Sequence, residues 1–455
     1  MALGRRGGER QEEFWIPTTA VARGPGHPFY DKLNALLAEA GFDRWVEARC
    51  RAYYAEQGRP GIPPGVYFRM LLIGYFEGLE SQRGIAWRCA DSNSLKSFLG
   101  FGLTEATPDH SSLTKIRRRL PLEVHEEVFA FVLGIAQLKK LLKGQVVGVD
   151  ATLLEANAAL KSIVRKDTGE DYRQYLRRLA QEAGIEDPRD DDLKKFDQKR
   201  KGKKLSNDDW QSTTDPDGRI AKMKDGTTHL AHKAEHAVDL ESELLLAATV
   251  QPGDCGDPQS LVETLVAAQT NLIRAGSDAE VRELATDSGY HSNATLRQCA
   301  DWGIRTYISE KDASQKRVWT DKPAEQERAF RNNRRRIHGR RGRRLQRLRR
   351  VLCERSFAHM CETGAGRRSW LRGLVNVAKR YVIHAAAYNL GVILRKLFGV
   401  GTPRSLQGRA AAACAALFAI LRALYHWLTT RVTGLHDLSP IRPPITPNQS
   451  QLAAA

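Results

Sequence analysis

The stretch Gln145–Ala151 constrains this chain more than any other. It is apolar on both of its alternating faces, so it predicts a strand at the centre of a sheet, covered on both sides. An acid, Asp150, closes the apolar run, and a carboxylate there is costly unless it faces a polar site. His232–Val238 and Leu244–Val250 predict two further strands, and Asp257–Ala275 an amphipathic helix. Val281–Thr286 and Ile304–Ser309 follow as strands, with a helix over Asn293–Trp302 between them. Strand, strand, strand, helix, strand, helix, strand and a later helix describe a mixed α/β sheet if the first three strands form an antiparallel meander.

Two more acids stand out. Asp287 closes the apolar run of Leu-Ala-Thr-Asp-Ser-Gly-Tyr (284–290), and Glu354 lies in the helical Leu-Cys-Glu-Arg-Ser-Phe (352–357). Carboxylates gathered in a cationic surface are what holds Mg²⁺, with Mn²⁺ able to substitute, against a phosphodiester. Plainer readings stand beside this one: Asp150 as a turn cap, Asp287-Ser288-Gly289 as an ordinary turn, and Glu362 as a rival to Glu354. At helical spacing Arg347, Arg350, Glu354 and Cys361 share one stripe, apart from the apolar stripe of Leu345, Leu348 and Leu352.

The surroundings are strongly basic. Lys and Arg number 71 against 53 Asp and Glu, a net charge of +18, which favours a polyanionic partner. Eleven of the twenty residues Arg331–Arg350 are arginine, Arg340, Arg341, Arg343, Arg344, Arg347 and Arg350 among them. Such a run repels itself until phosphates neutralise it, and it leads directly to Glu354. A solvated basic loop is the plainer alternative.

Residues 28–135 read as helical. Pro108-Asp109 starts a short helix that carries Lys115, Arg117 and Arg118 and stops at Pro121. It reads either as the recognition helix of a helix-turn-helix or as an amphipathic helix with arginines at its negative end. Lys161–Thr228 is too long for a loop inside a compact sheet and reads as an insertion or as disordered. Its Trp210 either packs locally or stacks on a base. The organisation expected is an N-terminal arm (1–27), a helical DNA-binding domain (28–140), a catalytic α/β domain (141–400, with 161–228 inserted) and a C-terminal helix and tail (401–455). The apolar run at 410–421 is too short to span a membrane and predicts a buried helix. Seven widely spaced cysteines without Cys-x-x-Cys pairs point to a reducing compartment, and Met1–Ile16 has no apolar core for a secretory signal.

Over roughly residues 28 to 400 the chain resembles the DDE transposases of bacterial insertion sequences. The resemblance is to the branch with a helical N-terminal DNA-binding region before an RNase H-like core. The matching pieces, in order, are Gly61-Ile62-Pro63-Pro64, Val149-Asp150-Ala151-Thr152, Thr214-Asp215-Pro216-Asp217, and His232-Lys233-Ala234-Glu235-His236-Ala237-Val238. Thr286-Asp287-Ser288-Gly289-Tyr290 and Glu354-Arg355-Ser356-Phe357 complete them. The resemblance implies Asp150, Asp287 and Glu354 as metal ligands. Related transposases carry Tyr, two residues, Arg, three residues, Glu, six residues, Lys on the final helix. Arg350 and Glu354 match the Arg and Glu; Arg347 and Cys361 stand where Tyr and Lys would be. The roles of those two do not carry over, which leaves Arg367 or Arg368 for the phosphate. The implied activity is binding of terminal inverted repeats, hydrolysis at each end and attack of the freed 3′-hydroxyl on target DNA. A homodimer on paired ends and a place in the bacterial cytoplasm, at the nucleoid, are implied with it. A nuclease without strand transfer and an inactive DNA-binding relic are the rival readings.

Overall fold

A computed structural model of the chain describes residues 26–58, 61–201, 205–223, 225–311, 318–406, 418 and 420–425. Residues 1–403 group as one compact unit and 404–455 as a second. The N-terminal arm and most of the tail lie outside the described residues. In the tail, 418 and 420–425 are helical, while most of the apolar run at 410–421, expected as a buried helix, lies outside the described residues. Among the described residues no helix is long and apolar enough to cross a membrane.

Seven helices come first: α1 (Pro28–Glu39), α2 (Phe42–Cys50), α3 (Pro64–Glu77), α4 (Gln82–Asp91), α5 (Asn93–Leu99), α6 (His110–Arg119) and α7 (Leu122–Leu138). Proline at the first turn starts α3, and its residues Pro64–Phe76 are all buried, so it is the axis of this region. The one charge among those buried residues, Arg69, is engaged through all three of its nitrogens. It donates to Asp43 Oδ1 (3.0 Å) and Oδ2 (2.7 Å), to Asn34 Oδ1 (2.9 Å) and to the Phe98 carbonyl (3.1 Å), as a buried guanidinium must be. Asp109 caps α6 by accepting from the Ser112 amide at 2.8 Å.

The sheet is built from β1 (Val146–Glu155), β4 (Arg219–Lys222), β5 (Thr228–Asp239), β6 (Leu245–Pro252), β7 (Glu283–Thr286) and β8 (Arg305–Ile308). Before β4, the short strands β2 (Ile163–Arg165) and β3 (Trp210–Ser212) pair with each other, flanking α8 (Tyr172–Glu182) and α9 (Asp190–Lys199). β1 pairs antiparallel with β5 and parallel with β7, β5 pairs antiparallel with β6, and β7 pairs parallel with β8. The meander is therefore present, and the order β6-β5-β1-β7-β8 is an RNase H-like mixed sheet with β1 at its centre. The insertion is largely built of its own elements. Trp210 packs in it against Ala156, Ile163, Leu230, Tyr172 and Tyr175, so it is a packing residue.

Helices cover both faces. α10 (Asp257–Arg274) lies on one; α13 (Arg340–Phe357) and α14 (Leu374–Phe398) lie on the other, after α11 (Asn293–Asp301) and α12 (Ala324–His338). The edge strand β8 is closed by α12, whose buried Asn333 accepts from the Ile308 amide (2.9 Å) and donates to its carbonyl (2.8 Å). The helical region is tied to the sheet by α7 and α3, which both pack on α14.

Gly148 explains how close α13 comes. A Cβ there would stand 2.7 Å from Leu240 Cδ2, 3.2 Å from Arg349 Cγ and 3.3 Å from Cys353 Sγ, so the helix crosses β1 where β1 has no side chain. Gly148→Val is expected to destabilise the fold by about 1–3 kcal/mol through overpacking. A thermal melt reads this directly; an unshifted midpoint would contradict the crossing.

Candidate active site

Asp150 lies in the middle of β1, because the strand runs on to Glu155. Its Oδ2 accepts from Arg349 Nη1 at 2.9 Å, and its Oδ1 from the Ala151 amide at 2.9 Å. Asp287 follows the last residue of β7 and caps the short turn Ser288–Tyr290, its Oδ1 accepting from the Gly289 amide at 2.9 Å. The β1–β7 ladder pairs Gly148 with Ala285. The pairing stops there, two residues before Asp150 on β1 and two residues before Asp287, which lies just past the end of β7.

β7 ends there, and β1 does not. The edge it leaves is taken up again at Glu155, whose amide donates to the Arg367 carbonyl (3.0 Å) and whose carbonyl accepts from the Ser369 amide (3.3 Å). Between lies a gap in the edge of the central strand, with the Asp287 turn on one side and residues 367–369 on the other. Openings at the carboxyl ends of strands, where the chain changes direction across the sheet, are where open α/β folds bind ligands.

Glu354 is exposed on α13. Gln346, four-residue steps before it, donates to the Thr286 carbonyl (2.9 Å) and to that of Tyr307 (2.5 Å), so this side of the helix faces the carboxyl ends of β7 and β8. Arg350 and Glu354 follow Gln346 at i+4 and i+8, each turned about 40° further round the helix, and both are exposed. Leu345 and Leu348 sit over Val146 and Leu240, toward the other end. Among the described residues no group of three or more His, Cys, Asp or Glu side chains is gathered so as to hold a metal ion, the trio Asp150, Asp287 and Glu354 included. Their chemistry nonetheless suits a hard dication: the donors are carboxylate oxygens, and a guanidinium already occupies Asp150 as a cation. Mg²⁺ keeps several waters and takes one or two carboxylates plus phosphate oxygens rather than an all-protein cage.

The arginine run is two helices broken at Gly339. Arg340, Arg343, Arg344, Arg347 and Arg350 are exposed. Arg341 is bound to Glu283 through two nitrogens, and Arg336 is half-buried on the Thr306 carbonyl and hydroxyl. On α6, Lys115 and Arg118 are exposed, whereas Arg117 turns inward, with Nε and Nη1 closed off from solvent. A π-type turn over Ala358–Thr363 follows α13 and takes Cys361 into the core, off the stripe of Arg350 and Glu354. Arg367 is engaged by Glu362, while Arg368 stacks on Trp370 at 4.8 Å and lies 3.6 Å from Glu155, at the rim of the gap.

Sequence reasoning missed Arg349, the arginine that reaches Asp150, since it named Arg347 and Arg350 on either side. It also missed the network beneath Asp287. Tyr290 donates to Glu235 Oε1 at 2.7 Å, as does Ser260 at 2.7 Å, and burial pushes the Glu235 carboxyl above its ordinary range. The signal was present in the His-Lys-Ala-Glu-His run, whose alternation places Lys233 and Glu235 on one face of β5 and His232 and His236 on the other. A cavity of about 1100 Å³ opens beside Trp302, Arg282 and Ile273 at the amino ends of β7 and β8, away from these acids.

A mixed sheet in this order, with an acid following the paired residues on each strand of its central parallel pair, has the RNase H-like fold of enzymes that act on polynucleotides. Family comparison agrees: residues 149–390 match the family model described as Transposase DDE domain, and residues 20–119 match Transposase domain (DUF772). The first match alone covers just over half of the chain, which belongs to the DDE transposase family and is a DNA transposase. Comparison with curated proteins and with solved structures gives no match.

Proposed function

We propose that this transposase binds the terminal inverted repeats of its own element, cleaves at their ends and joins the freed 3′-hydroxyl to target DNA. The observation that carries the reading is the parallel pairing of β1 with β7, beyond which Asp150 and Asp287 each follow by two residues at the gap in the β1 edge. Asp150, Asp287 and Glu354 would hold divalent ions, Mg²⁺ or Mn²⁺. Bound there, such ions activate the attacking water or 3′-hydroxyl and stabilise the leaving oxygen. The chain's part is placement. β1 and the turn that follows β7 would hold the two aspartates, and α13 would bring Glu354 and Arg350 toward them. Arg340, Arg343, Arg344 and Arg347 hold the phosphates of the approaching DNA, and Arg368 holds the strand at the opposite rim. The helical region 28–140 engages the repeat, with Lys115 and Arg118 of α6 against its backbone, and two copies assemble on paired ends.

The test is a labelled repeat end incubated with wild-type protein in Mg²⁺ or Mn²⁺, followed on a denaturing gel. A nick at the repeat boundary and a joined product with target DNA are expected. Cleavage without joining would instead make the protein a nuclease, and tight binding without either would make it a DNA-binding relic.

A further inference from the structure

The turn that carries Asp287 rests on a buried cation. Lys233 of β5 is 4% exposed, and its ammonium donates to Asp257 Oδ1 (2.6 Å), Ser260 Oγ (2.9 Å) and the Cys255 carbonyl (3.2 Å), with Glu235 Oε1 at 3.8 Å. Its donors are thereby used up, and its charge is met by two carboxylates. Asp257, the first residue of α10, turns its other oxygen toward Gly289. A Cβ on Gly289 would stand 2.3 Å from Asp257 Oδ2 and 3.0 Å from Asp287 Oδ1, so the two carboxylates flank one glycine that has no room for a side chain. Tyr290, next in the chain, is fixed to Glu235 and lies 5.9 Å from the Lys233 ammonium.

We infer that Asp257 is a positioning residue for Asp287, and that Lys233 is the counter-ion that lets a second carboxylate sit so close to it. Without Lys233, two like charges would share this corner, and mutual repulsion would turn Asp287 away from Asp150. With it, Asp257 is locked from below and braces the Gly289 backbone, whose amide holds Asp287 Oδ1. The network is supplied by β5 and α10 and converges on a turn between β7 and α11, so residues far apart in sequence set one side chain. The inference rests on the assignment of Asp287 to the ion-holding site.

The test measures Mn²⁺ binding to DNA-free protein by electron paramagnetic resonance, beside repeat-end binding by gel shift and a thermal melt. Asp257→Ala is expected to weaken Mn²⁺ binding by about 10-fold or more, as loss of a residue supporting a metal ligand does, with end binding close to wild type. Asp257→Asn keeps the shape and the acceptor for Lys233, so most of the affinity should return. Gly289→Ala should resemble Asp257→Ala without touching any acid. Wild-type Mn²⁺ binding in Asp257→Ala, alongside loss in Asp287→Ala, would overturn the positioning role and leave the active-site reading intact. Equal damage from Asp257→Asn and Asp257→Ala would also overturn it, since charge rather than position would then be the cause. Wild-type binding in Asp287→Ala itself would remove the active-site reading and this inference with it.

Discussion

Asp287→Ala is expected to lower end cleavage about a thousandfold or more while leaving the affinity for repeat DNA unchanged or tighter. The magnitude follows from the several kcal/mol that a metal clamp supplies to a phosphoryl-transfer transition state, at 1.36 kcal/mol for each factor of ten. The direction of the binding change follows from taking a negative charge out of a cationic surface. Asp150→Ala should abolish cleavage equally but carry a second cost. Arg349 is largely buried, and removing Asp150 strips it of its carboxylate partner, a loss that runs to roughly 3–5 kcal/mol for fully buried pairs and to less at this partly open one. The two alanine variants should therefore separate in a thermal melt, Asp150→Ala being the less stable, and Asp150→Asn should recover stability without recovering cleavage. Residual metal-dependent cleavage by Asp287→Ala near the wild-type rate would remove Asp287 from the chemistry.

Replacing Arg340, Arg343, Arg344 and Arg347 together by alanine should weaken binding to every DNA sequence alike. Each phosphate contact contributes about 0.9 to the slope of log affinity against log salt, so losing four should flatten that slope by about 3 to 4. Arg341 is left out because its guanidinium, although half exposed, is committed to Glu283. A slope equal to wild type would mean that these side chains do not meet phosphates, and a loss confined to the repeat sequence would mean that they read bases instead.

The sheet was legible in the sequence because its strands and helices have clean periods: two-sided apolar character in β1, short apolar runs in β7 and β8, and a 3.6-residue apolar stripe in α10. The extent of β1 was not. After Asp150 it continues through Ala151–Glu155 with mixed polarity, because one edge there opens to the gap, and half-open strands lose the pattern that marks buried ones. Asp150 and Asp287 were visible as acids at the ends of apolar runs, and the parallel pairing of β1 with β7 was not, since pairing between strands over 130 residues apart leaves no local trace. The arginines mislead for a related reason. A run dense in one charge predicts a uniform solvated surface, yet Arg336, Arg341 and Arg349 are each claimed by a carbonyl or carboxylate of the sheet. Asp257 gave no signal either, because what makes it matter is the missing side chain of Gly289, a contact seen only in three dimensions.

The break at Gly339 has an energetic consequence for the basic region. A disordered arginine tail loses its conformational freedom each time it meets DNA, and affinity falls by that amount. Here α12 is clamped to β8 through Asn333, and α13 is seated on β1 at Gly148, so the ordering is completed when the chain folds. The exposed guanidinium groups are held at close quarters in the free protein and repel one another. Phosphates relieve that stored repulsion on arrival, so the rigidity of these helices draws part of the driving force for DNA binding from the folding of the protein itself.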